Sequence, residues 1–227
     1  MRRKLVSVFV AILFGLTTPV LSQQADKRTL IAIGNLENPD LPQELAEKLK
    51  TQTTKEPIDV VVLGFGVKSE KDSKVTTQSY LDNLAELSKK LKPSGGTVFL
   101  VPGVQNWDFG KPDGYESIFS IQEKVDSLAM PNLKWVVRNG CPGPEEYLLD
   151  EDHLLVFLDT QWLIHPFERG DENSFCESKS PIEVIIALRD IFLRNEDKKV
   201  ILAMYHPLWS VGESSGAFGI KDHIFPT

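Results

Sequence analysis

The stretch Ile58-Asp59-Val60-Val61-Val62-Leu63-Gly64-Phe65-Gly66 decides the fold. A short, β-branched apolar run stopped by glycine reads as a strand buried on both faces. Three further runs share its character. Thr29-Leu30-Ile31-Ala32-Ile33 ends at Gly34, Thr97-Val98-Phe99-Leu100-Val101 ends at Pro102-Gly103, and Lys199–Met204 is the last apolar run. Helical stripes fall between them. Leu41, Leu45 and Leu49 share a face behind Pro42; Tyr80, Leu84, Leu87 and Leu91 recur at helical spacing. A helix is expected around Tyr115–Leu128, with strands near Lys134–Arg138 and His153–Leu158. A last helix starts at Ser180-Pro181, with Ile182, Ile185, Ile186 and Leu193 on its inner face. Strands alternating with helices predict an α/β fold with a parallel sheet covered on both faces. In such sheets chemistry sits beyond the carboxyl ends of the strands. The segments to inspect are Gly34-Asn35, Gly64-Phe65-Gly66, Gly103-Val104-Gln105-Asn106-Trp107 and Tyr205-His206-Pro207.

Composition narrows the class. The chain has 227 residues, is 41% hydrophobic, and carries a net charge of −7. That apolar content excludes a disordered chain, and the acidic balance argues against a nucleic-acid partner. Residues 1–22 read as a secretory signal: Met1-Arg2-Arg3-Lys4, an apolar run Leu5–Leu16, then Val20 and Ser22 at the positions expected before a cut at Gln23. The run is too short to span a bilayer, so the mature domain, 23–227, is expected to be secreted or periplasmic and not membrane-spanning. An uncleaved anchor is the alternative. In an oxidising compartment the only two cysteines, Cys141 and Cys176, are expected to pair.

The segments Gly140-Cys141-Pro142-Gly143-Pro144-Glu145, Asp159-Thr160-Gln161-Trp162, His206-Pro207-Leu208-Trp209-Ser210-Val211-Gly212 and Lys221-Asp222-His223-Ile224-Phe225-Pro226 occur in this order. Together they resemble secreted bacterial members of the calcineurin-like metallophosphoesterases. The resemblance implies a sandwich of α/β/β/α layers. It also implies two divalent metal ions held about 3.5–4 Å apart by carboxylate, Asn and His side chains. The motifs of that group read GDxG, GDNxYP, GNHDW, HHP and a late GHxH.

Matched to those motifs, the ligand positions are altered. The first Asp falls on Asn35, the bridging Asp on Phe65, and the following Tyr on Lys68. The third-motif Asn, His and Asp fall on Val104, Gln105 and Asn106, while Trp107 is kept. The first His of HHP falls on Tyr205, leaving His206. No GHxH occurs. Neutral amides are far weaker ligands for hard cations than carboxylate or imidazole, Phe65 would set a ring where the bridging carboxylate belongs, and Lys68 would add charge beside a dication. The resemblance therefore implies no catalytic residues and no bound cofactor. His206, Asp222 and His223 remain as a weak one-metal alternative to structural roles. The chain also stops where the family's C-terminal continuation would begin. Either the sequence is a fragment or the C-terminal part of the second sheet is missing.

Other chemistry finds little support. No G-x-S-x-G is present, and Gly64-Phe65-Gly66 lacks the third glycine of a dinucleotide fingerprint. Asp159 is a candidate general base, or part of a structural strand segment. Glu145-Glu146 and Asp150-Glu151-Asp152 read as solvated turns rather than a Ca²⁺ site. The four tryptophans read as core. Three functions stay open: a pseudoenzyme binding a small molecule or protein over the old cleft, an active phosphoesterase with an unconventional metal site, and an unrelated exported α/β binding domain.

Overall fold

The computed structural model describes residues 28–36, 38–51, 56–66, 76–169 and 174–207. The segment expected to be a signal, 1–22, and Lys68, Asp222 and His223 lie outside the described residues, as does everything after Pro207.

The chain is a mixed α/β protein. Strands β1 (Thr29–Leu36), β2 (Ile58–Phe65), β3 (Val98–Val101) and β4 (Leu133–Trp135) form a four-stranded sheet in that order. All three of its pairings are parallel. Between these strands run α1 (Leu41–Thr51), α2 (Thr77–Leu91) and α3 (Gly114–Ser127). A second sheet holds β5 (Glu145–Leu148), β6 (His153–Leu158) and β7 (Lys199–Met204), with β5 antiparallel and β7 parallel to β6. Helices α4 (Thr160–Ile164) and α5 (Pro181–Arg194) connect β6 to β7.

Burial explains the layering. Side chains alternate along β2: Val60 and Val62 meet Leu81, Leu84 and Leu87 of α2, whereas Val61 joins Phe99, Leu155, Phe157 and Ala203 between the two sheets. A third apolar group, Leu154, Val156, Val200, Leu202 and Ile191, lies between the second sheet and α5. The apolar stripe expected on α2 is buried throughout. Its start is fixed by a reciprocal cap, in which Thr76 Oγ1 accepts from Ser79 N and the Ser79 hydroxyl accepts from Thr76 N. The one charge in the β2 run, Asp59, is buried and satisfied. Arg28 donates to it through Nε and Nη2 at 2.9 and 2.7 Å, and Thr97 N donates at 2.9 Å.

Four sequence expectations need correction. The inner face of α5 is Val184, Leu188 and Ile191; Ile182, Ile185, Ile186 and Leu193 are exposed. Both faces of this helix are apolar, so periodicity alone could not choose between them. Glu145-Glu146 is not a turn but the start of β5, an edge strand whose polar sequence hides its pairing. Asp159-Thr160-Gln161-Trp162 is not strand; Asp159 caps the short helix α4. The strand expected over Lys134–Arg138 is Leu133–Trp135, ending before Val137, which has φ 49°.

The disulfide is present. Cys141 and Cys176 are bonded, with Cα atoms 5.4 Å apart, and no free cysteine remains among the described residues. The bond ties the loop after β4 to the segment leading into α5. No helix among the described residues is long and apolar enough to cross a membrane.

Candidate functional site: the joined strand ends

The carboxyl ends of β2 and β3 in one sheet meet those of β6 and β7 in the other. Gly64 opens this junction. Its φ of 71° lies in the left-handed region that L side chains rarely adopt. That turn breaks the alternation of β2 and sends Phe65 to the helix side, where its ring lies 6.2 Å from those of Tyr80 and Trp135. Phe65 therefore does not stand in the cleft where the sequence comparison would put it.

The space beside Gly64 belongs to Tyr205. A Cβ on Gly64 would fall 2.6 Å from Tyr205 Cε2, and one on Gly103 would fall 2.4 Å from Tyr205 Cδ2. Both strand-end glycines thus allow an aromatic ring to pack directly on backbone. Gln105, 8% exposed, closes the third side, with Oε1 2.8 Å from the same Gly64 position. Asn106 is 1% exposed and uses both ends of its amide: Oδ1 accepts from Gly103 N at 2.9 Å, and Nδ2 donates to Phe65 O at 3.1 Å. It stitches the loop after β3 to the end of β2. Val104 is half-buried, and its carbonyl accepts from Phe109 N. Asn35 lies between Gly34 and Leu36, which pair with Leu63 and Phe65, so its backbone runs beside Gly64; its side chain is not described. Gly34 itself is exposed and inside β1 rather than at its end.

His206 follows the plug. Its backbone N–H donates to Thr160 Oγ1 at 3.0 Å, and its Nδ1 lies 2.9 Å from the same oxygen. With Oγ1 already accepting, the hydroxyl proton is free to be donated to Nδ1, which suits a neutral ring. Burial holds the imidazole below its usual pKa, in the same direction.

Beneath the junction lies a second polar group, of which the sequence singles out Asp159 and Trp107 but not His165. Trp107, fully buried, donates Nε1–H to Asp159 Oδ2 at 2.8 Å; Asp159 Oδ1 accepts from Trp162 N at 3.1 Å. Burial without a cation raises the Asp159 carboxyl to about 7, against the lowering effect of these donors. On the other side of Trp107 sits His165, 3% exposed, its ring centroid 4.7 Å from that of the indole. Neither ring nitrogen of His165 has a partner among the described residues. Desolvation, and then the Arg169 charge, hold its pKa below the imidazole norm. Arg169 itself stacks over Trp162 at 4.6 Å and donates to the carbonyls of Trp162 and Leu163. The only sequence signal for this group is the kept Trp107 and the Asp159-Thr160-Gln161-Trp162 segment.

Chemically, the junction presents an aromatic ring, two amides and one hydrogen-bonded imidazole. Among the described residues, no three His, Cys, Asp or Glu converge where a metal ion could be held. No family model matches the chain, and neither a curated protein nor a solved structure matches it.

Proposed function

We propose that this chain is an exported protein of calcineurin-like metallophosphoesterase architecture whose di-metal cleft has been filled by protein, and which acts by binding rather than by hydrolysis. The observation that carries the reading is the seat of Tyr205 on Gly64 and Gly103. A ring packed directly on two strand-end glycines covers their backbone on the side that faces the junction. The surrounding donors do not suit divalent ions. Both polar ends of Asn106 are engaged, His206 Nδ1 faces Thr160, and Gln105 is a neutral amide. Two divalent ions do not fit these residues.

Support for the architecture comes from the meeting of Gly64, Gly103, Gln105, Tyr205 and His206 at one junction between two sheets. These residues come from three of the four strand-end segments that the sequence marks for inspection. Export is supported by the disulfide, which suits an oxidising compartment.

The test is hydrolysis of a generic phosphomonoester by the purified mature protein with added Mn²⁺ or Fe²⁺. This reading expects no turnover above buffer. Metal-dependent turnover that Tyr205→Ala does not alter would place the activity elsewhere and overturn it. A second reading is an unrelated exported α/β binding domain. An experimental structure in which Tyr205 leaves Gly64 and Gly103, with the four segments on separate edges, would select it.

A further inference from the structure

Helix α4 clasps one indole from both ends. Its N-cap, Asp159, accepts Trp107 Nε1–H at 2.8 Å, and its C-cap, His165, sets an imidazole 4.7 Å from the same ring. The seat of His165 is closed. A Cβ on Gly114 would fall 2.7 Å from His165 Cε1 and 2.6 Å from Trp107 O, so the ring rests on glycine backbone. Both ring nitrogens are sealed from water, and neither has a hydrogen-bond partner among the described residues. A neutral imidazole leaves one N–H unpaired in this seat. An imidazolium would bury two N–H groups and a charge with nothing to receive them. The neighbouring helix opposes a cation as well, since Gly114 is the first residue of α3 and lies at the positive end of its dipole.

The charged groups around the seat do not compensate. Asp159 is engaged by Trp107, and its carboxyl, raised to about 7, is mostly protonated where imidazoles titrate. On the loop after β3, Asp108 and Lys111 pair with each other at 2.9 Å. Asp113 and Glu116, on either side of Gly114, and Glu168 are exposed, and Tyr115 stacks on Trp107. Arg169 is the charge that bears on the ring, and it is positive.

We propose that His165 is an acid-opened latch: on taking up a proton its ring leaves the seat on Gly114 and Trp107, and α4 comes away from the floor of the junction. The latch stands on packing alone, so it goes beyond the binding role above and holds for either family reading. Its consequence runs along α4. Thr160, the first residue of the helix, holds His206 through its backbone N–H and Nδ1, and the adjacent Tyr205 packs on Gly64 and Gly103. Opening at His165 thus slackens the contact that covers two strand ends. Burial and Arg169 lower the ring's affinity for protons in the closed form. The latch is therefore at full strength above the ordinary imidazole value of 6.5 and weakens as pH falls below it.

Native-state hydrogen exchange of the full, disulfide-intact chain at about pH 7 and about pH 5 tests this. Opening constants of the α4 amides, corrected for the intrinsic pH dependence of exchange, are set against those of β2 and β3. The α4 amides should open about tenfold or more as often at the lower pH, and the β2 and β3 amides far more rarely at both. His165→Phe keeps a flat ring on Trp107 but cannot charge, so its ratio of opening between the two pH values should stay near one. Arg169→Gln removes the neighbouring cation and should shrink the ratio, whatever it does to opening at each pH. A ratio near one in the parent chain, or an undiminished ratio in His165→Phe, would overturn the proposal. Opening of α4, β2 and β3 as one event at both pH values would also overturn it, because the ring would then charge only on global unfolding.

Discussion

Trp107 Nε1 donates to Asp159 Oδ2 at 2.8 Å, and both residues are almost wholly removed from solvent. The bond joins the loop after β3 in one sheet to the end of β6 in the other, so it holds the floor of the junction together. It also buries a carboxylate without a counter-ion, which raises its pKa to about 7 from the usual 3.8.

That shift has a sign. A carboxyl whose folded pKa is raised binds its proton more tightly in the folded state. Its contribution to stability is therefore full below the unfolded value and declines as pH climbs through the interval up to about 7. The lowered His165 and His206 work in the opposite sense below the usual imidazole value, so the Asp159 effect is best isolated by substitution. Asp159→Asn keeps an acceptor for Trp107 and a cap for α4. Its stability relative to the parent chain should rise between pH 4 and 7, by on the order of 2–4 kcal/mol. Denaturant unfolding at several pH values measures this; a pH-independent difference would show that Asp159 is not the titrating group.

Tyr205 and the two glycines form a lock that can be probed in pairs. Gly103→Ala sets a Cβ 2.4 Å from the ring and should cost about 1–3 kcal/mol. Gly64→Ala adds backbone strain from its φ of 71° and should cost more. In a Tyr205→Ala background the Gly103→Ala penalty should shrink. A double-mutant cycle on unfolding free energies reads this coupling, and strict additivity would mean the ring does not sit there.

Arg28 and Asp59 bracket the other end of the four-stranded sheet. Asp59 is 1% exposed and takes three donated bonds from Arg28 and one from Thr97 N. Arg28→Ala strands a buried carboxylate and should destabilise by about 3–5 kcal/mol, whereas Arg189→Ala, in an exposed pair with Asp190, should cost under about 1 kcal/mol. Thermal unfolding of the two variants side by side distinguishes them.

The Cys141–Cys176 bond closes a loop with a sequence separation of 35. In the chain-entropy account its loss removes about 3–4 kcal/mol. Thiol titration of the unfolded, unreduced protein should find no free cysteine, and the Cys141→Ser, Cys176→Ser double variant should unfold at markedly lower denaturant. Two titratable thiols would contradict the pairing.

Much of the scaffold was legible because its signals were local. The runs at Ile58–Leu63 and Val98–Val101 could only be strands buried on both faces, and the stripe from Tyr80 to Leu91 only a helix with one wet side. What escaped the sequence was decided by tertiary contact. α5 is apolar on its outer face as well as its inner one, so the face that meets β6 and β7 depends on the crossover and not on spacing. β5 is polar because it is an edge. The direction of Phe65 turns on one dihedral angle, at Gly64, that no composition rule reports. At the junction, the strand ends located the loops but not their chemistry: that Tyr205 packs on Gly64 and Gly103, and that Thr160 holds His206, depends on the meeting of two sheets.

The most direct measurement is the metal content of the mature protein after equilibration with Mn²⁺, Fe²⁺ or Zn²⁺ and removal of free ions. The filled junction predicts far less than one ion per chain, with no change in that value for Tyr205→Phe. Two ions per chain, lost when Gln105, Asn106 or His206 is replaced by alanine, would contradict it.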